Sequence, residues 1–265
     1  MSDYFITLDA KSCPMVWLKA IEHLLGLPGH RQFNLTLAID SPLYMSPGDF
    51  RVHDLVDTFL AKSKEPQPLD PLTTVAGTIF PANYYLRNGA DGVYFDFLKD
   101  FSKLQKKPGS WGIYAERMLD SNGRGERIIP LQKLIEKMKK NKSNYPSAYE
   151  INVSEDEGFE IPLYRRSQDY NLLRQQPCLS HLSFKIFPEN RLMLTVMYRS
   201  HYYVTKALGN LIGLSQLQSF VASETGLEVG PLICHSSIAS IDTPKGLGIG
   251  ALRQLVLECA AAYSE

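Results

Sequence analysis

Apolar positions recur at helical spacing early in the chain. Trp17, Leu18, Ile21, Leu24 and Leu25 share one face, with Ser12 and Pro14 in front and Gly26 and Pro28 behind. A capping hydroxyl, an early proline and a closing glycine are helix start and stop signals. Phe33 to Ile39 instead alternates and contains threonine, which predicts a strand. Asp49 to Lys62 returns to helical spacing through Val52, Leu55, Val56, Phe59 and Leu60. The proline-bearing stretch Ser63 to Pro71 reads as a loop, and Leu72 to Leu86 as one helix despite Gly77 and Pro81. Val93, Phe97, Leu98 and Phe101 suggest another helix.

In the second half, Ser121 to Arg127 is a polar loop. Leu131 to Lys140 is a helix whose basic end complements the helix dipole, and Ala148 to Val153 is a strand. Ser154 to Gln176 is long, polar and arginine-bearing, a kind of loop that often carries function. Leu182, Phe184 and Ile186 alternate, Pro188-Glu189-Asn190 turns, and Leu192, Leu194 and Val196 alternate again, which makes a β-hairpin. A helix over Val204 to Thr225 closes at Gly226, a strand lies within Leu227 to Ile241, and Gly248 to Tyr263 is a last helix. Strands and helices mix without strict alternation. The expectation is therefore one α/β (α+β) domain over 1–265, built on a mixed, largely antiparallel sheet.

Composition narrows the function classes. Apolar residues make up 44% of the chain, enough for a full core, and 28 basic residues balance 28 acidic ones. With no basic excess, a nucleic-acid polymer or a membrane surface is not the expected partner, whereas a small anion needs only a few local cations. No apolar run approaches the ~20 residues that span a bilayer, and Met1 to Ala10 has no signal-peptide pattern. Cys13, Cys178, Cys234 and Cys259 are widely spaced, as in reduced cytoplasmic proteins. No metal site is expected, and His181, His201 and His235 read as structural.

Cys178 stands out among the thiols. It lies in Gln-Gln-Pro-Cys-Leu-Ser-His at the entrance to the hairpin, whose second strand ends in Tyr198-Arg199-Ser200. Hairpin geometry returns Arg199 towards Cys178, and a guanidinium beside a thiol favours the thiolate. The same fork of donors suits a phosphate. A buried structural thiol is the plain alternative. Arg165, Arg166 and Arg174 are further candidate phosphate contacts, or simply a solvated basic loop. Gly246-x-Gly248-x-Gly250 reads as a loop and a helix start.

The ordered set Pro177-Cys178-Leu179, the hairpin, Tyr198-Arg199-Ser200, Asn210 and Leu227-Glu228-Val229-Gly230 resembles the C-terminal half of the thymidylate synthases and pyrimidine-nucleotide hydroxymethylases. Arg31 and Trp111-Gly112-Ile113-Tyr114 add a looser match further upstream. The resemblance implies a three-layer sandwich, a homodimer packed through its sheets, and covalent catalysis on a pyrimidine nucleotide or nucleotide-like molecule with 5,10-methylenetetrahydrofolate. Cys178 matches the nucleophile that adds to C6, and Tyr114 a tyrosine near the reacting ring. Arg199 and Ser200 match a phosphate-binding pair, with Arg31 as a second phosphate arginine in a mobile loop. Asn210 matches the reader of the pyrimidine edge. Its amide both donates and accepts, which suits a uracil-like edge and leaves cytosine open.

The chain also departs from that pattern. Tyr202 stands where the family has the acid that binds the pterin, and Thr78 where it has the proton-transfer glutamate. Ser240 and Asp242 stand in place of a sugar-holding His-x-Tyr. Two other classes therefore stay open beside a one-carbon transferase: a nucleotide-binding relative acting as a regulatory or partner-binding subunit, and an enzyme that works on a nucleobase through Cys178 without folate.

Overall fold

The computed structural model describes residues 4–103, 112–119, 129–141, 150–151 and 177–264. The segment Ser154 to Gln176, with Arg165, Arg166 and Arg174, lies outside the described residues, as do Trp111 and the Ser121 to Arg127 loop.

The chain opens with strand β1 (Ile6–Ala10), whose alternation of Ile6, Leu8 and Ala10 is too short to stand out in the sequence. Helix α1 (Cys13–Gly26) starts at Ser12, whose hydroxyl accepts from Met15 N at 3.3 Å, and it stops before Pro28. Strand β2 (Arg31–Ile39) begins two residues earlier than expected, so Arg31 is the first residue of a strand and not part of a loop. Helix α2 (Pro47–Ala61) also starts early. Ser46 and Asp49 form a reciprocal capping box, and Pro47 occupies the first turn.

The apolar run expected as one helix is two, α3 (Leu72–Gly77) and α4 (Ala82–Asp91). Pro81 has no N–H to continue the first helix, which closes at Thr78. A wide turn, Gly92–Asp96, then leads into α5 (Phe97–Phe101). Helices α6 (Tyr114–Leu119) and α7 (Pro130–Asn141) and the short strand β3 (Glu150–Ile151) follow. The hairpin forms as read, from β4 (Leu179–Phe187) and β5 (Arg191–Tyr198). Then come β6 (His201–Tyr202), α8 (Ala207–Thr225), β7 (Glu228–Ser240) and α9 (Ile249–Ala261). Gly226, at φ 65°, takes the left-handed conformation that lets Leu227 N reach Ala222 O and end α8.

Among the described residues the sheet runs β1-β2-β7-β5-β4-β3, with β6 beside β7. It is mixed. The β2–β7, β4–β5 and β3–β4 pairings are antiparallel, and β1–β2, β5–β7 and β6–β7 are parallel. Along β5, Leu192, Leu194, Val196 and Tyr198 are buried while Met193, Thr195 and Met197 are not, so one face is covered and the other is not. The covered face carries α1 and α8, with α2, α3 and α9 outside them. Each fully buried leucine of this core is worth roughly 1.5–3 kcal/mol of transfer free energy.

Two features of α8 fix its neighbours. Gly209 and Gly213 let α3 approach closely. A Cβ on Gly209 would lie 2.6 Å from Val75 Cβ, and one on Gly213 2.6 Å from Ala76 O. On the sheet side, buried Gln218 donates through Nε2 to the carbonyls of Leu192, Gly230 and Pro231, where the β5–β7 register slips.

Candidate functional site

The end of β5, strand β6, the entrance to β4, the N-terminal turn of α8, the end of α3 and the start of α6 meet around a cavity of about 330 Å³. Six of the ten residues singled out in the sequence line it: Thr78, Tyr114, Cys178, Ser200, Tyr202 and Asn210. Gly112, Ile113, Tyr198, His201 and Lys206 complete the wall.

Cys178 is half-buried where the chain enters β4. Burial pushes its thiol up, and the Arg199 guanidinium opposes this without overcoming it. The expectation of a net lowered thiol is thus corrected, because desolvation outweighs one neighbouring cation. Cys13 and Cys259 are pushed up to about 12 by burial, and Cys234 further still. Arg199 does return to Cys178, as the hairpin requires. Its backbone N donates to Cys178 O at 3.0 Å, while Nε and Nη2 donate to Pro177 O at 3.0 and 2.6 Å. The guanidinium therefore braces the turn that carries the cysteine.

Tyr114 comes from the first turn of α6. Its hydroxyl accepts from Cys178 N at 2.9 Å and Leu179 N at 3.0 Å, so it holds the backbone of the cysteine directly. Burial raises the phenol to about 12. Thr78 ends α3, donating from Oγ1 to Val75 O at 2.7 Å. Tyr202 is 55% exposed and lines the pocket together with Lys206.

Asn210, in the first turn of α8, is 6% exposed and donates from Nδ2 to His201 Nε2 at 3.0 Å. The other ring nitrogen, His201 Nδ1, lies 3.1 Å from Ser236 Oγ, and Ser236 Oγ lies 3.2 Å from the Tyr203 hydroxyl. His201 also stacks on Tyr198, with ring centroids 4.0 Å apart and planes 6° from parallel. Burial lowers the imidazole to about 3, so it is neutral at physiological pH.

The remaining candidates sit elsewhere. Arg31 and Ser240 pair in register at one end of β2 and β7, away from the cavity lining. Ser240 O accepts from Tyr203 N. Asp242 receives Val204 N and the Thr205 hydroxyl, holding the chain between β6 and α8. It also takes the N–H groups that would have begun α8 at Val204, so the helix starts three residues later than the apolar pattern implied.

Lys206 is the site residue that the sequence reading missed. It lies one turn before Asn210, whose N–H bonds to Lys206 O at 2.8 Å, and its ammonium pairs with Asp70 at 3.0 Å. That four-residue spacing from Asn210 was the available signal. His201 was read as structural because nothing in the sequence shows which side chain its second nitrogen meets.

Among the described residues no helix is long and apolar enough to cross a membrane, and no cluster of His, Cys, Asp or Glu has the form of a metal site. No family model matches the chain. A 65-residue stretch is 42% identical to a protein of Methanothermobacter marburgensis named "Putative thymidylate synthase", covering 24% of this chain and 29% of that protein. A protein of the same name from Methanothermobacter thermautotrophicus is 40% identical over 65 residues, with the same coverage. The chain thus matches less than a third of the length of these curated relatives, and its likeness to thymidylate synthase-like proteins is partial and distant.

Proposed function

We propose that this protein is a pyrimidine-nucleotide C5 one-carbon transferase that works through a covalent adduct at Cys178. The observation that supports it most is the shared pocket. A half-buried cysteine, a tyrosine on that cysteine's backbone and an asparagine with amide groups to spare face one cavity of nucleobase size. The partial likeness to proteins named as thymidylate synthases points the same way.

In this reading the Cys178 proton leaves, favoured by Arg199, and Sγ bonds to C6 of the ring. The C5–C6 π pair moves towards C5 and the C4 oxygen, where the Asn210 amide meets it. C5 then bonds to the one-carbon unit as that unit's bond to its carrier nitrogen breaks, and C5 loses its proton. A hydride that the folate would supply, or a water, completes the methyl or hydroxymethyl group as C5=C6 re-forms and Sγ leaves C6 as the thiolate. Splitting the substitution this way is covalent catalysis. Ser200 in the pocket wall, with Arg199 next to it in the chain, would serve the phosphate. The exposed Tyr202 ring offers a flat wall that fits a pterin, with Thr78 and Lys206 close by, and 5,10-methylenetetrahydrofolate would supply the one-carbon unit there. A second copy of the chain would pack on the uncovered sheet face, where Met197 is 42% exposed.

The test is release of tritium from C5 of uridine and cytidine nucleotides, with and without methylenetetrahydrofolate and with Cys178→Ser as control. Release that needs both Cys178 and folate supports the transferase, and product mass separates methyl from hydroxymethyl. Release without folate would favour folate-free nucleobase chemistry. The upward shift of the Cys178 thiol favours a second reading, a nucleotide-binding subunit without the reaction. Nucleotide binding with no release from any substrate would establish it.

A further inference from the structure

We propose that His201 is the positioning residue that fixes the Asn210 amide, so that the pocket selects a ring bearing an N–H beside a carbonyl, the uracil edge, over an amino-bearing cytosine edge. The inference rests on the nucleotide reading above for its ligand and on geometry for its mechanism. Asn210 Nδ2 lies 3.0 Å from His201 Nε2, so Nε2 carries the lone pair and the ring proton sits on Nδ1, facing Ser236 Oγ at 3.1 Å. Ser236 Oγ is in turn 3.2 Å from the Tyr203 hydroxyl.

The whole relay is enclosed. His201 is 2% exposed, and Ser236 and Tyr203 are fully buried. Tyr198 clamps the imidazole plane from one side and Tyr203 packs edge-on at 5.2 Å, so the ring has no room to flip. One amide N–H is thereby committed to His201. Asn210 Oδ1 and the second N–H meet no partner among the described residues, on a side chain that lines the cavity with Cys178.

An acceptor next to a donor, in that fixed order, matches the N3–H and C4 carbonyl of a uracil. A cytosine presents a lone pair at N3 and an amino group at C4. To meet it the amide must turn over and bring Oδ1 against the Nε2 lone pair. That repulsion is relieved only if the His201 proton moves to Nε2 and the Ser236 hydroxyl turns to donate to Nδ1. Sites built to pair a polar edge reject its mismatch because their own buried groups are left unpaired.

Two measurements test this, and they fail separately. The first uses no ligand: nitrogen-15 NMR of the imidazoles, with His201→Gln identifying the His201 signal. The proton is expected on Nδ1, and an Nε2-protonated ring would overturn the relay whatever the protein binds. The second compares the dissociation constants of deoxyuridine and deoxycytidine monophosphates. The parent is expected to prefer the uridine nucleotide. Ser236→Ala, which removes one hydroxyl and little volume, is expected to shrink that preference by about threefold to tenfold through loss of one hydrogen bond. His201→Gln, which keeps an acceptor towards Asn210, is expected to retain most of it. An unchanged ratio in Ser236→Ala, in a protein of parental stability, overturns the positioning role. If the parent binds neither nucleotide while the Nδ1 tautomer is present, the nucleotide reading and the selection built on it fall together and the relay alone stands.

Discussion

Replacing Gly213 by alanine sets two opposing effects against each other at one position. In an exposed helix interior, glycine to alanine stabilises by about 1 kcal/mol, because it removes backbone freedom from the unfolded chain. Gly213 is buried against α3, and its new Cβ would lie 2.6 Å from Ala76 O, 3.0 Å from Ala76 Cα and 3.0 Å from Ile79 Cβ. Two of these neighbours are backbone atoms of another helix, so relief requires α3 itself to move. Overpacking of this kind costs about 1–3 kcal/mol. The clash wins, and Gly213→Ala is expected to destabilise by about 1 kcal/mol net, read as a lower urea midpoint at unchanged slope. Gly209→Ala meets Val75 Cβ at 2.6 Å and Leu72 O at 3.1 Å, and should behave alike. Because α3 ends at Thr78 and α8 carries Asn210, both in the cavity wall, ligand affinity should fall in the same variants. A Gly213→Ala protein as stable as the parent, or more so, would refute the close approach of α3 as a rigid constraint.

Tyr114→Phe strips the acceptor from two N–H groups, those of Cys178 and Leu179, and is expected to cost about 1–3 kcal/mol in thermal or chemical unfolding. Turnover should drop more than affinity, because the cysteine's backbone loses its brace. Asp49 accepts from Ser12, Ser46 and Tyr263, and although burial opposes ionisation, these bonds together hold its carboxyl below the usual carboxylate range. Its folded pKa is therefore lower than its unfolded one. The stability it contributes is present above about pH 4 and is lost as the pH falls through the folded value. Asp49→Asn should be less stable than the parent at pH 7, and the gap should narrow in urea titrations run progressively below pH 4.

What the sequence made legible follows from how local each cause is. The β4–β5 hairpin was readable because Leu182 to Val196 alternates around a proline-led turn, and α2 because its apolar face repeats over four turns. Strand β6, two residues long, has no period to detect. The break at Pro81 was a local signal overridden by the apolar run around it. In the site, Cys178, Tyr114 and Asn210 were legible as an ordered set of pieces. The net rise of the Cys178 thiol was not, because Arg199 shows in the sequence and burial does not. Asp242 illustrates the reverse. A charged side chain at the position expected to hold a sugar spends its oxygens on Val204 and Thr205, a partnership set by the tertiary fold and not by neighbours in sequence.

Helix α8 is held from three directions at three heights. His201 grips Asn210, Ala76 presses on Gly213, and the sheet's own carbonyls engage Gln218. A substitution at a less buried position of the helix, such as Ile212 or Gln216, leaves that phasing intact. Inserting or deleting a single residue between Asn210 and Gln218 turns everything beyond it by about 100°, and at most one side of the grip survives. Across diverged relatives, this stretch should vary in letters at its less buried positions, Ile212 and Gln216, and hardly at all in length.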